Sequence, residues 1–186
     1  MKRSKNLDMT YMAMYIALAV VLEYVNQFIP FLQMPQGGSI NLAIIPVIIA
    51  SYHLGWLKGM GVGVMWWFIG FIMGFNNWYL NPIQYALDYL VPAIVCGLAC
   101  LLPRIGKISN IYTGVVTVGV VRFLCTVLSG VYFWFPEGSA AGSSAAWVYS
   151  LSYNFYYNFA TLIVAIILVP LLVSRLKHTV KMVGIK

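Results

Sequence analysis

Charge is what this chain has least of. Asp, Glu, Lys and Arg make up 8% of its 186 residues, and the acidic side chains number four. Soluble domains carry roughly a quarter charged residues. With 62% of the chain hydrophobic, much of its surface must face lipid. An all-α integral membrane protein is expected, as one domain over residues 1–186. Histidine and cysteine are nearly as scarce, at two and three residues. Cys96, Cys100 and Cys125 fall inside apolar runs, with no His or further Cys at ligand spacing, so they read as packing residues and no metal site is expected. The Walker P-loop, HExxH and GxSxG patterns are missing too. No catalytic residue or cofactor is therefore expected. A small intramembrane enzyme using Asp88 and Arg122 would need further groups that the sequence does not offer. The internal repeats of many secondary transporters are also absent. The chain can bind a solute but carries no visible means of powering its transport.

The net charge of +7 does not point to nucleic acid, because the basic residues lie in short flanks with no basic face or motif. The start, "MKRSKNLDMTYMAMYIALAVVLEYV", resembles a signal peptide. Its apolar part is long enough to span, however, and no small-x-small cleavage site follows, so a retained first helix is expected. Six apolar segments run over about 9–31, 40–54, 55–75, 82–102, 110–135 and 145–174. The break "SYHLGWLKG" between the second and third is weak, and fusing them would leave five. Charge placement favours six. Lys2, Arg3 and Lys5 precede the first segment and Lys58 lies at the second turn; Arg104 and Lys107 lie in the fourth. Arg175, Lys177, Lys181 and Lys186 follow the last, which puts ten of the eleven basic residues on one side. The positive-inside rule then gives six transmembrane helices with both termini cytoplasmic.

The three opposite loops, "FLQMPQGGS", "FNNWYLNP" and "FPEGSAAGSS", hold no Lys or Arg, and aromatic residues crowd their helix junctions. An ordinary aromatic belt decorates both interfaces. This one is lopsided, which points to rings lining a cavity open to the outside. Three ionisable groups interrupt the spans: Glu23, Asp88 and Arg122. Such groups are costly in lipid and usually face protein or water. Asp88, roughly 9 Å inward from the start of its helix, reads either as a structural partner of Arg122 or as the acceptor for a cationic ligand. Aromatic faces beside a carboxylate suit a flat organic cation. Glu23 reads as mostly structural. Asn154 and Asn158 are candidates for ligand contact or inter-helix hydrogen bonding, and Ala13 and Ala17, with Ala19 off their face, form a small-xxx-small pattern.

Four stretches taken together are specific: "MPQGGSINLAIIPVIIASYHLGWLKGMGVG", "NPIQYALDYLVPA", "RFLCTVLSGVYFW" and "PEGSAAGSSAAWVYSLSYNFYYN". In order and over nearly the whole chain, they resemble the thiamin-specific substrate-binding (S) components of energy-coupling factor transporters. The resemblance implies capture of thiamin outside a bacterial cell membrane. It also implies partners, namely a transmembrane coupling subunit and two cytoplasmic ATPases. By resemblance, the ligand-contacting positions fall on Asp88, Tyr89, Trp67, Trp78, Trp134, Tyr149, Asn154 and Arg122, and the docking face for the coupling subunit on Ala13 and Ala17. The family pattern has Glu at Asp88 and Lys at Arg122, and some members have His near Asn76 or Asn77 and an acidic residue near Asn41. The shorter Asp88 side chain keeps related vitamins open, including the pyrimidine half of thiamin and a B6 vitamer.

Overall fold

A computed structural model of the chain describes residues 4–34, 37–75 and 78–185. Lys2, Arg3 and Lys186 of the basic flanks, and Asn76 and Asn77, lie outside the described residues. Six helices follow one another: α1 Lys5–Gln27, α2 Ile44–Leu54, α3 Trp56–Ile72, α4 over 82–97, α5 Asn110–Phe133 and α6 Ser144–Leu176. α1, α5 and α6 are long and apolar enough to cross a membrane.

Breaker residues set the boundaries. The first apolar segment runs to residue 31 in the sequence, but Pro30 cannot continue a helix, and it opens a separate short turn, Pro30–Leu32. Between α2 and α3 the chain reverses at Gly55, whose φ of +90° is a conformation other residues rarely adopt. α4 begins where Asn81 and Pro82 stand together. The Asn81 carboxamide oxygen accepts from Ile83 N at 3.0 Å and Gln84 N at 2.9 Å, and Pro82 fills the first helical position, where no N–H is needed. Ser143 Oγ does the same for α6, accepting from Ala146 N at 3.2 Å.

α2 explains the short second segment. All 11 of its residues are buried, so it is a central pillar, apolar on every side because every side meets protein. At 11 residues it rises only about 16 Å, half the thickness of the hydrocarbon core. The other helices wrap it. Val47 and Ile48 of α2 meet Val62 of α3, Cys96 of α4, Val115 and Val118 of α5, and Val169 and Val173 of α6 in one cluster. α3 and α4 approach closely through small residues. A Cβ on Gly59 would come within 2.7 Å of the Gly97 carbonyl oxygen, and one on Gly63 would overlap the Ala93 carbonyl. Overpacking such a contact typically costs about 1–3 kcal/mol. Gly63→Val is accordingly expected to lower the thermal unfolding midpoint in detergent, and an unchanged midpoint would contradict this packing.

The solid core occupies the end where the basic flanks gather. Lys58 at the start of α3 pairs with Asp8 in the first turn of α1. At the same end, Val183 and Gly184 of the tail both donate to Tyr52 O, at 3.0 and 2.8 Å, and Asn110 Nδ2 donates to Gly184 O at 2.7 Å. The opposite end is hollow.

Candidate functional site

Asp88 lies in a distorted turn of α4. Pro92 supplies no N–H for the Asp88 carbonyl four residues earlier, and the turn Ala86–Leu90 is π-helical, flanked by α-helical Pro82–Tyr85 and Val91–Gly97. Consecutive residues on a regular helix point about 100° apart. Here Asp88, Tyr89 and Pro92 all line the same chamber, as does Ala93.

That chamber has a volume of about 590 Å³, within the usual range for small-molecule sites. All eight ligand-contact positions expected from the sequence border it: Trp67, Trp78, Asp88, Tyr89, Arg122, Trp134, Tyr149 and Asn154. Asp88 Oδ2 accepts from Gln84 Nε2 at 2.5 Å and from Trp134 Nε1 at 3.3 Å. Tyr89 OH accepts from Trp78 N at 2.9 Å, and the Trp78 and Trp134 rings meet edge to face with centroids 6.0 Å apart. The Trp134 ring therefore meets the carboxylate with its N–H edge, and Trp78 packs against Trp134. On the α6 wall Tyr149 and Tyr153 stack at 6.1 Å, and Tyr153 OH accepts from Gly38 N at 3.3 Å. The loop between α1 and α2 lies flat here for want of side chains. A Cβ on Gly37 would press the Trp78 ring at 2.5 Å and one on Gly38 the Tyr157 ring at 2.6 Å, which is the physical reason for "GGS".

Asp88 and Arg122 form no ion pair among the described residues, so the structural pairing open from the sequence is not what holds Asp88. Arg122 instead lies within electrostatic reach of Glu23, and its Nη1 is buried with no hydrogen-bond partner among the described residues. Glu23 borders the chamber with Gln27 one turn along α1, and its Oε2 accepts from Asn41 Nδ2 at 3.0 Å. Gln27 Nε2 is likewise buried without a partner among the described residues, while Trp67 Nε1 lies beside Tyr85 OH. Asn154 borders the chamber, yet its carboxamide is engaged within α6. Nδ2 donates to Ser150 O at 2.8 Å and to Ser150 Oγ at 3.1 Å, while Oδ1 accepts from Tyr157 OH. Asn158 ties α6 to α5 through Thr126 Oγ1 at 3.1 Å and does not reach the chamber.

Sequence reasoning missed Glu23, Gln27 and Glu137 as chamber residues, whereas Tyr153 and Tyr157 belong to the crowd of outer aromatic residues from which cavity-lining rings were expected. The i, i+4 spacing of Glu23 and Gln27 was an available signal, because two polar groups on one face of an apolar helix share one surrounding.

The chamber gives this bundle a place to hold a solute, and the family and relatives it matches are transporters, which makes it a substrate-binding membrane protein of the transport kind. Residues 9–181 match the family described as Thiamine transporter protein (Thia_YuaJ). The chain belongs to that family and is a multi-pass protein of the bacterial cell membrane. It is 30% identical over 165 residues to the thiamine transporter ThiT of Bacillus subtilis (strain 168), covering 82% of this chain and 83% of that one. A shorter stretch of 76 residues is 40% identical to the pantothenic acid transporter PanT of Lactococcus lactis subsp. cremoris (strain MG1363), over 39% of this chain and 36% of that protein. The fold is similar to a solved structure of ThiT from Listeria monocytogenes. The TM-score is 0.72 at 18% identity, with 95% of this chain and 98% of that one covered.

Proposed function

We propose that the protein is the thiamin-binding subunit of an ATP-driven uptake complex. It captures the vitamin in its outward chamber and relies on a transmembrane coupling subunit and two cytoplasmic ATPases for energy. The charge of the chamber carries this reading. Three carboxylates, Glu23, Asp88 and Glu137, border it against one guanidinium, Arg122. That balance, with aromatic rings beside Asp88, favours a flat cation such as the thiazolium-bearing vitamin. A carboxylate ligand such as pantothenate would meet net repulsion. In this reading the charged ring lies between Trp134 and the Asp88–Tyr89 pair, and Tyr149, Trp67, Trp78, Arg122 and Asn154 complete the walls. Ala13 and Ala17 are exposed on α1, while Ala19, off their face, is fully buried. The exposed pair provides the small-residue surface for the coupling subunit.

The subunit assignment is tested by uptake of labelled thiamin into cells that have no other route for it. Uptake is expected only when the coupling subunit and ATPases are co-expressed, with binding but no accumulation when this chain is expressed alone. ATP-independent accumulation by this chain alone would overturn the assignment.

A further inference from the structure

Gln84 does not border the chamber and carries no charge, yet it is wholly buried, at 0% exposure. Its carboxamide is fully occupied at both ends. Oε1 accepts from Leu80 N at 2.9 Å, while Nε2 donates to Trp78 O at 3.1 Å and to Asp88 Oδ2 at 2.5 Å. Its spacing from Asp88 is i, i+4, the separation at which side chains on one helix meet. The backbone N of Gln84 is itself held by Asn81 Oδ1 at 2.9 Å, so the side chain starts from an ordered first turn and leans back over the chain that precedes the helix. Two consequences follow. Gln84 Nε2 and Trp134 Nε1 both donate to Oδ2, and the buried Ser129 hydroxyl, which has no other partner among the described residues, faces the same carboxylate. The backbone of Trp78 is held at its carbonyl by Gln84 and at its N–H by Tyr89 OH.

We infer that Gln84 is a positioning residue for ligand binding: it locks the Asp88 carboxylate in one rotamer at the chamber wall, and it seats Trp78 on the same wall. This rests on the thiamin reading above and adds to it which residue aims the acceptor. A freely rotating carboxylate must lose rotamer freedom when the ligand arrives; one already held by its neighbours does not.

The test is a double-mutant cycle on the full chain in detergent, with thiamin affinity as the readout. Gln84→Met, which keeps the bulk and removes the donor, is expected to weaken binding about 10-fold when Asp88 is present. In the Asp88→Asn background the same change is expected to cost less than about 3-fold, because the carboxylate it aims is gone. Gln84→Glu is expected to weaken binding more, by setting two carboxylates together. Combining it with Asp88→Asn restores the donor–acceptor pair between the two positions but not the bond to Trp78 O, so the Gln84→Glu penalty is expected to shrink. Equal fold-losses for Gln84→Met in both backgrounds would overturn the inference. So would single variants that fail to fold and are not relieved in the Gln84→Glu, Asp88→Asn pair, because both results mark Gln84 as structural only. Normal thiamin binding by the unaltered protein with no loss in Gln84→Met would overturn this inference alone. No thiamin binding by the unaltered protein would overturn the functional reading together with it.

Discussion

Replacing Asp88 by Asn is expected to weaken thiamin binding by more than about 10-fold while the protein still purifies as a folded monomer. The two halves of that expectation have different physical grounds. Hydrogen bonds to a charged group contribute about 1.5–3 kcal/mol, which converts to roughly 10- to 150-fold in affinity. The charge is the part that Asn removes, and a desolvated cation among aromatic rings has no water with which to replace it. Folding is spared because Asn keeps a carbonyl oxygen to accept from Gln84 Nε2 and Trp134 Nε1, the partners that now hold Asp88 Oδ2. No salt bridge is lost either, since Asp88 pairs with no cation among the described residues. Calorimetric titration of the variant, with size-exclusion chromatography beside it, checks both halves. Unchanged affinity would remove Asp88 from the ligand's contacts, and aggregation would return it to a structural role.

Placing Trp at both Ala13 and Ala17 is expected to abolish uptake and leave thiamin binding intact. These two residues lie one helical turn apart on the exposed side of α1, flanked by exposed Met14, Leu18 and Val21. Small residues in a membrane helix allow a second helix to approach closely, and two indoles would hold it several ångströms away. Their side chains would project into lipid rather than into the bundle, because the buried side of the helix is the one marked by Ala19 and Asn26. The expected pair of results is therefore full-strength binding in detergent and no accumulation in cells. Binding lost along with uptake would indicate misfolding, and undiminished uptake would move the docking surface elsewhere.

Much of this architecture was legible because a membrane imposes simple rules. Apolar length marked the spans, and the bias of Lys and Arg gave a common end for Lys58, Arg104 and Arg175, which is the end where Lys58 meets Asp8. Residues expected at the site from several helices do converge on one chamber. Rotation about each helix axis was harder to read. Hydrophobicity is nearly uniform around an apolar helix, so the sequence does not show that α2 is wholly enclosed or that Glu23 points inward with Gln27. The Asp88–Arg122 alternative stayed open for the same reason, because both residues lie in apolar helices whose facing sides carry no polar stripe. The π-helical turn at Ala86–Leu90 was hidden as well. Pro92 signals a disturbed turn but not its form. Asn154 shows a further limit, since it reaches the chamber wall while Ser150 and Tyr157 occupy its carboxamide, and spacing alone does not reveal who claims a side chain first.

The most direct test of the chamber as a thiamin site is an intrinsic-fluorescence titration of the purified protein. Four of its six Trp residues, Trp66, Trp67, Trp78 and Trp134, border the chamber, so a stacked ligand must alter the signal. Saturable quenching at submicromolar thiamin, with its pyrimidine moiety, pyridoxal and pantothenate far weaker, is the expected result. Saturation by pantothenate or pyridoxal in preference to thiamin, or no saturable change with thiamin at all, would contradict it.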